Sequence, residues 1–207
     1  MIMKTLYKVL LVAIYIFVPI ISYAQSIDDL IARRAQQKVK QMTNYIEYMA
    51  NKEESLDDRK EYRTLALNLF IGHGEPYTLN DATRKGVYMQ ITSKYRKKPA
   101  ERLMKDYFTG LINMRYDKVV IESTDIKDIK VSELKKVGDN EFECTCTFVQ
   151  AFCGYQDGRP IYKDITKKRV TCHIFGEETV KVQPNGDIKT TYEYIVLLGD
   201  VEALETK

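Results

Sequence analysis

From Ile27 onward, apolar residues recur at steps of three and four: Ile27, Leu30, Ile31, Ala35, Val39, Met42, Ile46 and Met49. Such positions collect on one side of an α-helix. Arg33, Arg34, Gln37, Lys40 and Gln41 fall on the other side. The pattern predicts a long helix over residues 26–52, opened by the Ser26 hydroxyl and the acids Asp28 and Asp29. Ser55-Leu56-Asp57-Asp58 repeats the signal, and a second helix is expected through Leu65, Ala66, Leu69 and Phe70, ending at Gly72. Residues 74–85 are rich in turn formers and read as a loop. Val87, Met89 and Ile91 alternate with Tyr88, Gln90 and Thr92, which predicts a short strand. Pro99 suits the first turn of a third helix with Leu103, Met104, Tyr107, Phe108, Leu111 and Ile112 on its apolar face.

From Arg115 the period becomes two. Val119 and Ile121 open a strand that breaks near Thr124-Asp125 and resumes through Ile129, Val131 and Leu134. After the turn Gly138-Asp139-Asn140, the alternation is clearest. Phe142, Cys144, Cys146, Phe148 and Phe152 share one face, and Glu143, Thr145 and Thr147 the other. Asp157-Gly158 signals a hairpin. On the returning strand Val170, Cys172 and Ile174 share a face, whereas Ile161 and Ile165 have the opposite parity. A bulge near Thr166 to Lys168 would reconcile them. Pro184-Asn185-Gly186-Asp187 marks a second hairpin. The last strand's inner face is expected to be Ile188, Tyr192, Tyr194, Val196 and Leu198, with Ile195 and Leu197 making its end apolar on both faces, as in a central strand. Helices first and strands last predict a segregated α+β domain.

The first 24 residues follow a different logic. Lys4 and Lys8 precede an uncharged apolar run over residues 9–21, too short to span a bilayer comfortably. Ser22-Tyr23-Ala24 then offers small residues at the positions signal peptidase reads. The expectation is a signal peptide over residues 1–24 and a single domain over 25–207, secreted or periplasmic, with no stable membrane anchor after cleavage. The rival is an uncleaved N-terminal anchor. Overall composition is globular, at 44% hydrophobic and 29% charged. Cleavage removes two lysines, leaving 30 basic against 29 acidic residues, a net charge of +1 in place of +3. That balance argues against a nucleic-acid partner.

The segment from Pro99 through Tyr107-Phe108 to Val119-Val120-Ile121, the run Leu197-Leu198-Gly199-Asp200 and the element order carry a resemblance. The chain resembles the nuclear transport factor 2-like superfamily, in particular its uncharacterised exported bacterial members. The resemblance implies a cone: N-terminal helices packed in the concavity of a curved antiparallel sheet. The superfamily hosts isomerases, dehydratases, transport factors and secretion-system parts, so the fold alone does not select a function.

Candidate chemistry is sparse. Asp106 and Tyr107 on the third helix could reach a pocket, and Arg96, Lys97 and Lys98 lie in a basic stretch with interleaved tyrosines that could bind an anionic ligand; the plain alternative for each is a solvated face or a core position. His73, between two glycines, and His173, of opposite parity to Cys172, are weak acid–base candidates. The four cysteines, Cys144, Cys146, Cys153 and Cys172, lack zinc-ribbon spacing, so no metal is expected. With Gln156 facing Arg159, Cys144 would fall opposite Thr171, and one bulge moves it opposite Cys172. Cys144–Cys172 is therefore the disulfide candidate, with two quiet buried thiols as the alternative. No hydrolase, Walker or dinucleotide fingerprint occurs, and no cofactor is expected. The reading is an exported, non-catalytic binding or interaction module for an unknown small ligand or protein partner. The alternative is an isomerase- or dehydratase-type enzyme with a polar pocket inside the cone. A catalytic cone needs an open cavity with two or more polar side chains converging within hydrogen-bond reach; a filled apolar cone argues for the module.

Overall fold

A computed structural model describes residues 27–93, 95–96, 98–122, 125–182 and 187–206. The leader at residues 1–24, Lys97 and the turn residues Pro184, Asn185 and Gly186 lie outside these. Helix α1, Ile27–Ala50, buries the stripe Ile31, Ala35, Val39, Met42, Ile46 and Met49. Helix α2, Leu56–Leu67, is capped by Ser55, whose hydroxyl accepts the Asp58 amide at 3.1 Å. It stops before Gly72 because the sheet captures the chain: the Leu198 amide donates to the Leu69 carbonyl at 2.8 Å, and Phe70 is wholly buried. The expected loop holds a small hairpin, β1 (Tyr77–Leu79) and β2 (Ala82–Arg84). Its turn residues Asn80 and Asp81 both take positive φ, as a two-residue hairpin turn requires.

The third helix starts later than Pro99 suggests. Residues Ala100–Leu103 form strand β4, antiparallel to β3 (Tyr88–Ile91), and α3 spans Met104–Ile112. Proline lacks an amide donor and is tolerated just before an edge strand, so the open edge of β3 recruits what would otherwise be a helical turn. The apolar face of α3 is as the spacing predicts: Tyr107, Phe108, Leu111 and Ile112 are buried.

The main sheet also contains β5 (Lys118–Glu122), β6 (Lys130–Val131), β7 (Lys135–Gly138), β8 (Glu141–Gln156), β9 (Arg159–Val182) and β10 (Ile188–Thr206). Its order is β4-β3-β10-β9-β8-β5, with β6 and β7 also pairing with β8. One junction, β3 to β10, is parallel, so the curved sheet is mixed, mostly antiparallel rather than wholly so. Helix α1 packs in its concavity against β5, β6, β8 and β10, and α2 packs on α1 and α3. Polar ties fix α1 there: Glu47 accepts the Ile121 amide at 2.5 Å, Gln36 donates to the Ile129 carbonyl at 2.8 Å, and Arg34 donates to the Tyr194 carbonyl. Among the described residues, no helix is long and apolar enough to cross a membrane.

The β8–β9 hairpin turns at Asp157-Gly158, both at positive φ, with Gln156 facing Arg159. The register shifts at once: Tyr155 faces Pro160 but Gly154 faces Tyr162, leaving Ile161 as the extra residue. The bulge is therefore beside the turn, not at Thr166 to Lys168. That corrects the facing of the whole early strand. Ile161 and Ile165 are 46% and 43% exposed, while Asp164, Thr166 and Lys168 are buried on the same face as Val170, Cys172 and Ile174. At the far end of the β9–β10 hairpin, Ile188 and Tyr192 are exposed rather than inward in the core.

Candidate functional site

Inward placement of Asp164, Thr166 and Lys168 puts three polar side chains in a sheet face that is otherwise core. Across the ladder, Phe152 stands opposite Asp164 and Gln150 opposite Thr166. These strands form the floor of an open cavity of about 280 Å³. Ile91 at the end of β3 bounds it, with Thr92 and Ser93 just beyond, and Tyr107, Met114 and Tyr116 from α3 and its exit. Arg96 stands at its exposed side.

One wall is aromatic. Tyr116 stacks on Tyr162 at 6.4 Å between ring centroids, and Phe152 meets both edge-on, at 6.2 Å from Tyr116 and 6.0 Å from Tyr162. The polar groups differ in how well they are satisfied. Tyr162 donates its phenol proton to Asp164, and Ser93 bonds the same phenol. Burial, then that carboxylate, holds the Tyr162 phenol well above its ordinary range; burial does the same to Tyr107, with Asp164 adding to it. The Thr166 hydroxyl shares a 3.0 Å hydrogen bond with Thr206. Gln150 Oε1 is buried with no hydrogen-bond partner. Lys168 is 7% exposed, and among the described residues its ammonium reaches only the thioether of Met89, at 3.7 Å. Burial lowers its pKa to about 8, although Asp164 pulls the other way.

The residues singled out from the sequence divide. Tyr107 and Arg96 line the cavity. Asp106, one step around α3, is exposed and does not line it, and Lys98 is exposed outside it. Lys97 lies outside the described residues. The Tyr/Asp pair in the cavity is Tyr162 with Asp164 rather than Tyr107 with Asp106. Gln150, Asp164, Thr166 and Lys168 were hidden because polar residues on a strand read as solvent-facing. The signal that finds them is parity: counting back by twos from Ile174 reaches Lys168, Thr166 and Asp164 without a break.

Elsewhere the chemistry is quieter. His73 is exposed, at positive φ, just past α2. His173 lies on the outer face, its Nδ1 3.6 Å from Glu143, and burial lowers its pKa. Cys144 stands directly opposite Cys172, and Cys172 donates to Cys146 Sγ at 3.7 Å. All four cysteines are buried free thiols. Hydrogen bonds to Cys144 and Cys146, with burial, push the Cys172 thiol up. No protein-family model, curated protein or solved structure matches this chain.

Proposed function

We propose that this chain is an exported small-molecule binding protein of nuclear transport factor 2-like shape, and that its ligand sits in the cavity between β8, β9 and α3. The observation that carries this reading is the set of buried polar side chains, Gln150, Asp164, Thr166 and Lys168, facing an open cavity with an aromatic wall. Burying polar groups without full partners costs stability. Ligand pockets concentrate such groups on an apolar background. A thermal-shift screen of small polar-tipped aromatic and aliphatic compounds tests it, run against Thr166→Trp, which fills the cavity floor. Compounds that stabilise the natural protein are expected to lose their effect in the variant. Hits of equal strength in both would put the site elsewhere.

A second reading, proton-transfer catalysis of isomerase or dehydratase type, draws on the Tyr162–Asp164 hydrogen bond and an amine that titrates near pH 8. It predicts exchange of acidic carbon-bound protons of bound ligands with deuterated solvent, lost in Asp164→Asn while binding persists. Binding without exchange in the natural protein leaves the non-catalytic module.

A further inference from the structure

Lys168 is the cation of the cavity floor, and it is poorly satisfied. It projects inward from the middle of β9, flanked by Thr166 and Val170 on its own face and opposite Phe148 on β8. Among the described residues its only hydrogen-bond acceptor is the Met89 sulfur at 3.7 Å, a weak one. Among the described residues, no carboxylate lies within ion-pairing distance of its ammonium. Asp164, the nearest acid on the same face, is engaged with the Tyr162 phenol. A desolvated ammonium with three donors and a single weak acceptor is short of anionic oxygen. Gln150 adds a second open valence. Its buried Oε1 has no partner among the described residues, and an amide can be turned to present either its oxygen or its NH2. Arg96 at the exposed side adds a cation to the approach.

We infer that the cavity takes a small amphipathic carboxylic acid, with the carboxylate on Lys168 Nζ and the Gln150 amide and the apolar body against Tyr116, Phe152 and Tyr162. This rests on the cavity being a binding site. One ammonium and one amide match the two oxygens of a monoanion. A tetrahedral dianion would want guanidinium forks or a row of backbone amides; among the described residues the one guanidinium at the cavity is Arg96, at its exposed side and away from the floor. The size fits: 280 Å³ is the share of roughly nine waters, room for an acid of about ten heavy atoms. The stacked ring pair gives a flat body a face to lie on.

The test is a calorimetric titration of the natural protein with 3-phenylpropionate, its neutral carboxamide and the matching phosphonate. The acid is expected to bind about tenfold more tightly than the carboxamide. In Lys168→Met that preference falls to about twofold or less. Equal binding of acid and carboxamide to the natural protein overturns the carboxylate assignment while leaving the cavity reading intact, as does tighter binding of the phosphonate. A preference that survives in Lys168→Met moves the anion to another cation and overturns the assignment as well. No binding of any of the three removes both readings. The acid-to-amide contrast uses the unmodified protein, so it decides the matter even where the variant fails to fold.

Discussion

At the scale of single residues, Lys168 and Ile46 mark the two kinds of interior this protein has. Ile46 is wholly buried on the face of α1 that meets the sheet. Ile46→Ala is expected to cost about 2–5 kcal/mol in urea unfolding, from lost transfer energy and the cavity left behind; a loss below about 0.5 kcal/mol would make α1 peripheral. Lys168 works in the opposite sense. Its pKa falls from 10.5 to about 8 on folding, so the folded chain holds this proton less tightly than the unfolded chain does. Below pH 8 the buried charge lowers stability by an amount on the order of 3 kcal/mol. The penalty fades as pH rises from about 8 to about 10.5, where the unfolded chain binds more protons than the folded one. Lys168→Met keeps the apolar stem and removes the charge. It is expected to raise stability at pH 7 by about 1–3 kcal/mol, with a smaller gain at pH 10. Urea unfolding at both pH values checks this, and destabilisation at pH 7 would mean that the ammonium is satisfied in the fold.

At the scale of elements, the β8–β9 hairpin makes the site. The alternation of Phe142, Cys144, Cys146 and Phe148 and the Asp157-Gly158 turn were legible, and with them the pairing of Cys144 with Cys172. What was not legible was the bulge position. Ile161 and Ile165 look like core residues, and trusting them displaced the bulge to Thr166 to Lys168 and turned the cavity floor outward. Strand β4 was hidden for a related reason: its four residues have no pattern of their own and take their form from the free edge of β3. Local rules fail where polar residues serve a site rather than the core. Two outcomes follow at this scale. A Cβ on Gly154 would lie 2.9 Å from the Tyr116 ring. Gly154→Ala should therefore cost about 1–3 kcal/mol and weaken ligand binding by displacing the aromatic wall; unchanged melting and binding would show that Tyr116 is free to move. Cys172 neighbours both Cys144 and Cys146. Mild oxidation is expected to give one disulfide that always includes Cys172, read by non-reducing peptide mapping, and none among these three cysteines in Cys172→Ala. A Cys144–Cys146 bond would contradict that geometry.

At the scale of the whole molecule, a long helix and two shorter ones fill part of a curved sheet's concavity, and the unfilled part is the cavity. Element order carried the α+β class from the sequence, because long amphipathic periods survive any detail of packing, and the helix-in-sheet arrangement was what the resemblance implied. The proposed export is a separate matter, carried by the apolar run over residues 9–21 and Ala24. Protein recovered from the exported fraction should have an intact mass lacking residues 1–24, and full-length membrane-bound protein would sink that proposal. The central claim, that the cavity is a small-molecule site, has built-in reporters. Met89 sits against Lys168 and Met114 lines the cavity, whereas Met42 and Met49 lie in the α1 core stripe. The most direct measurement is methyl NMR of the protein labelled at its methionine methyl groups, titrated with small polar-tipped aromatic and aliphatic compounds. Saturable shifts are expected at Met89 and Met114, with Met42 and Met49 unmoved. Shifts spread equally over all four, or none at either cavity methionine with any compound up to a Kd of about 1 mM, would contradict it.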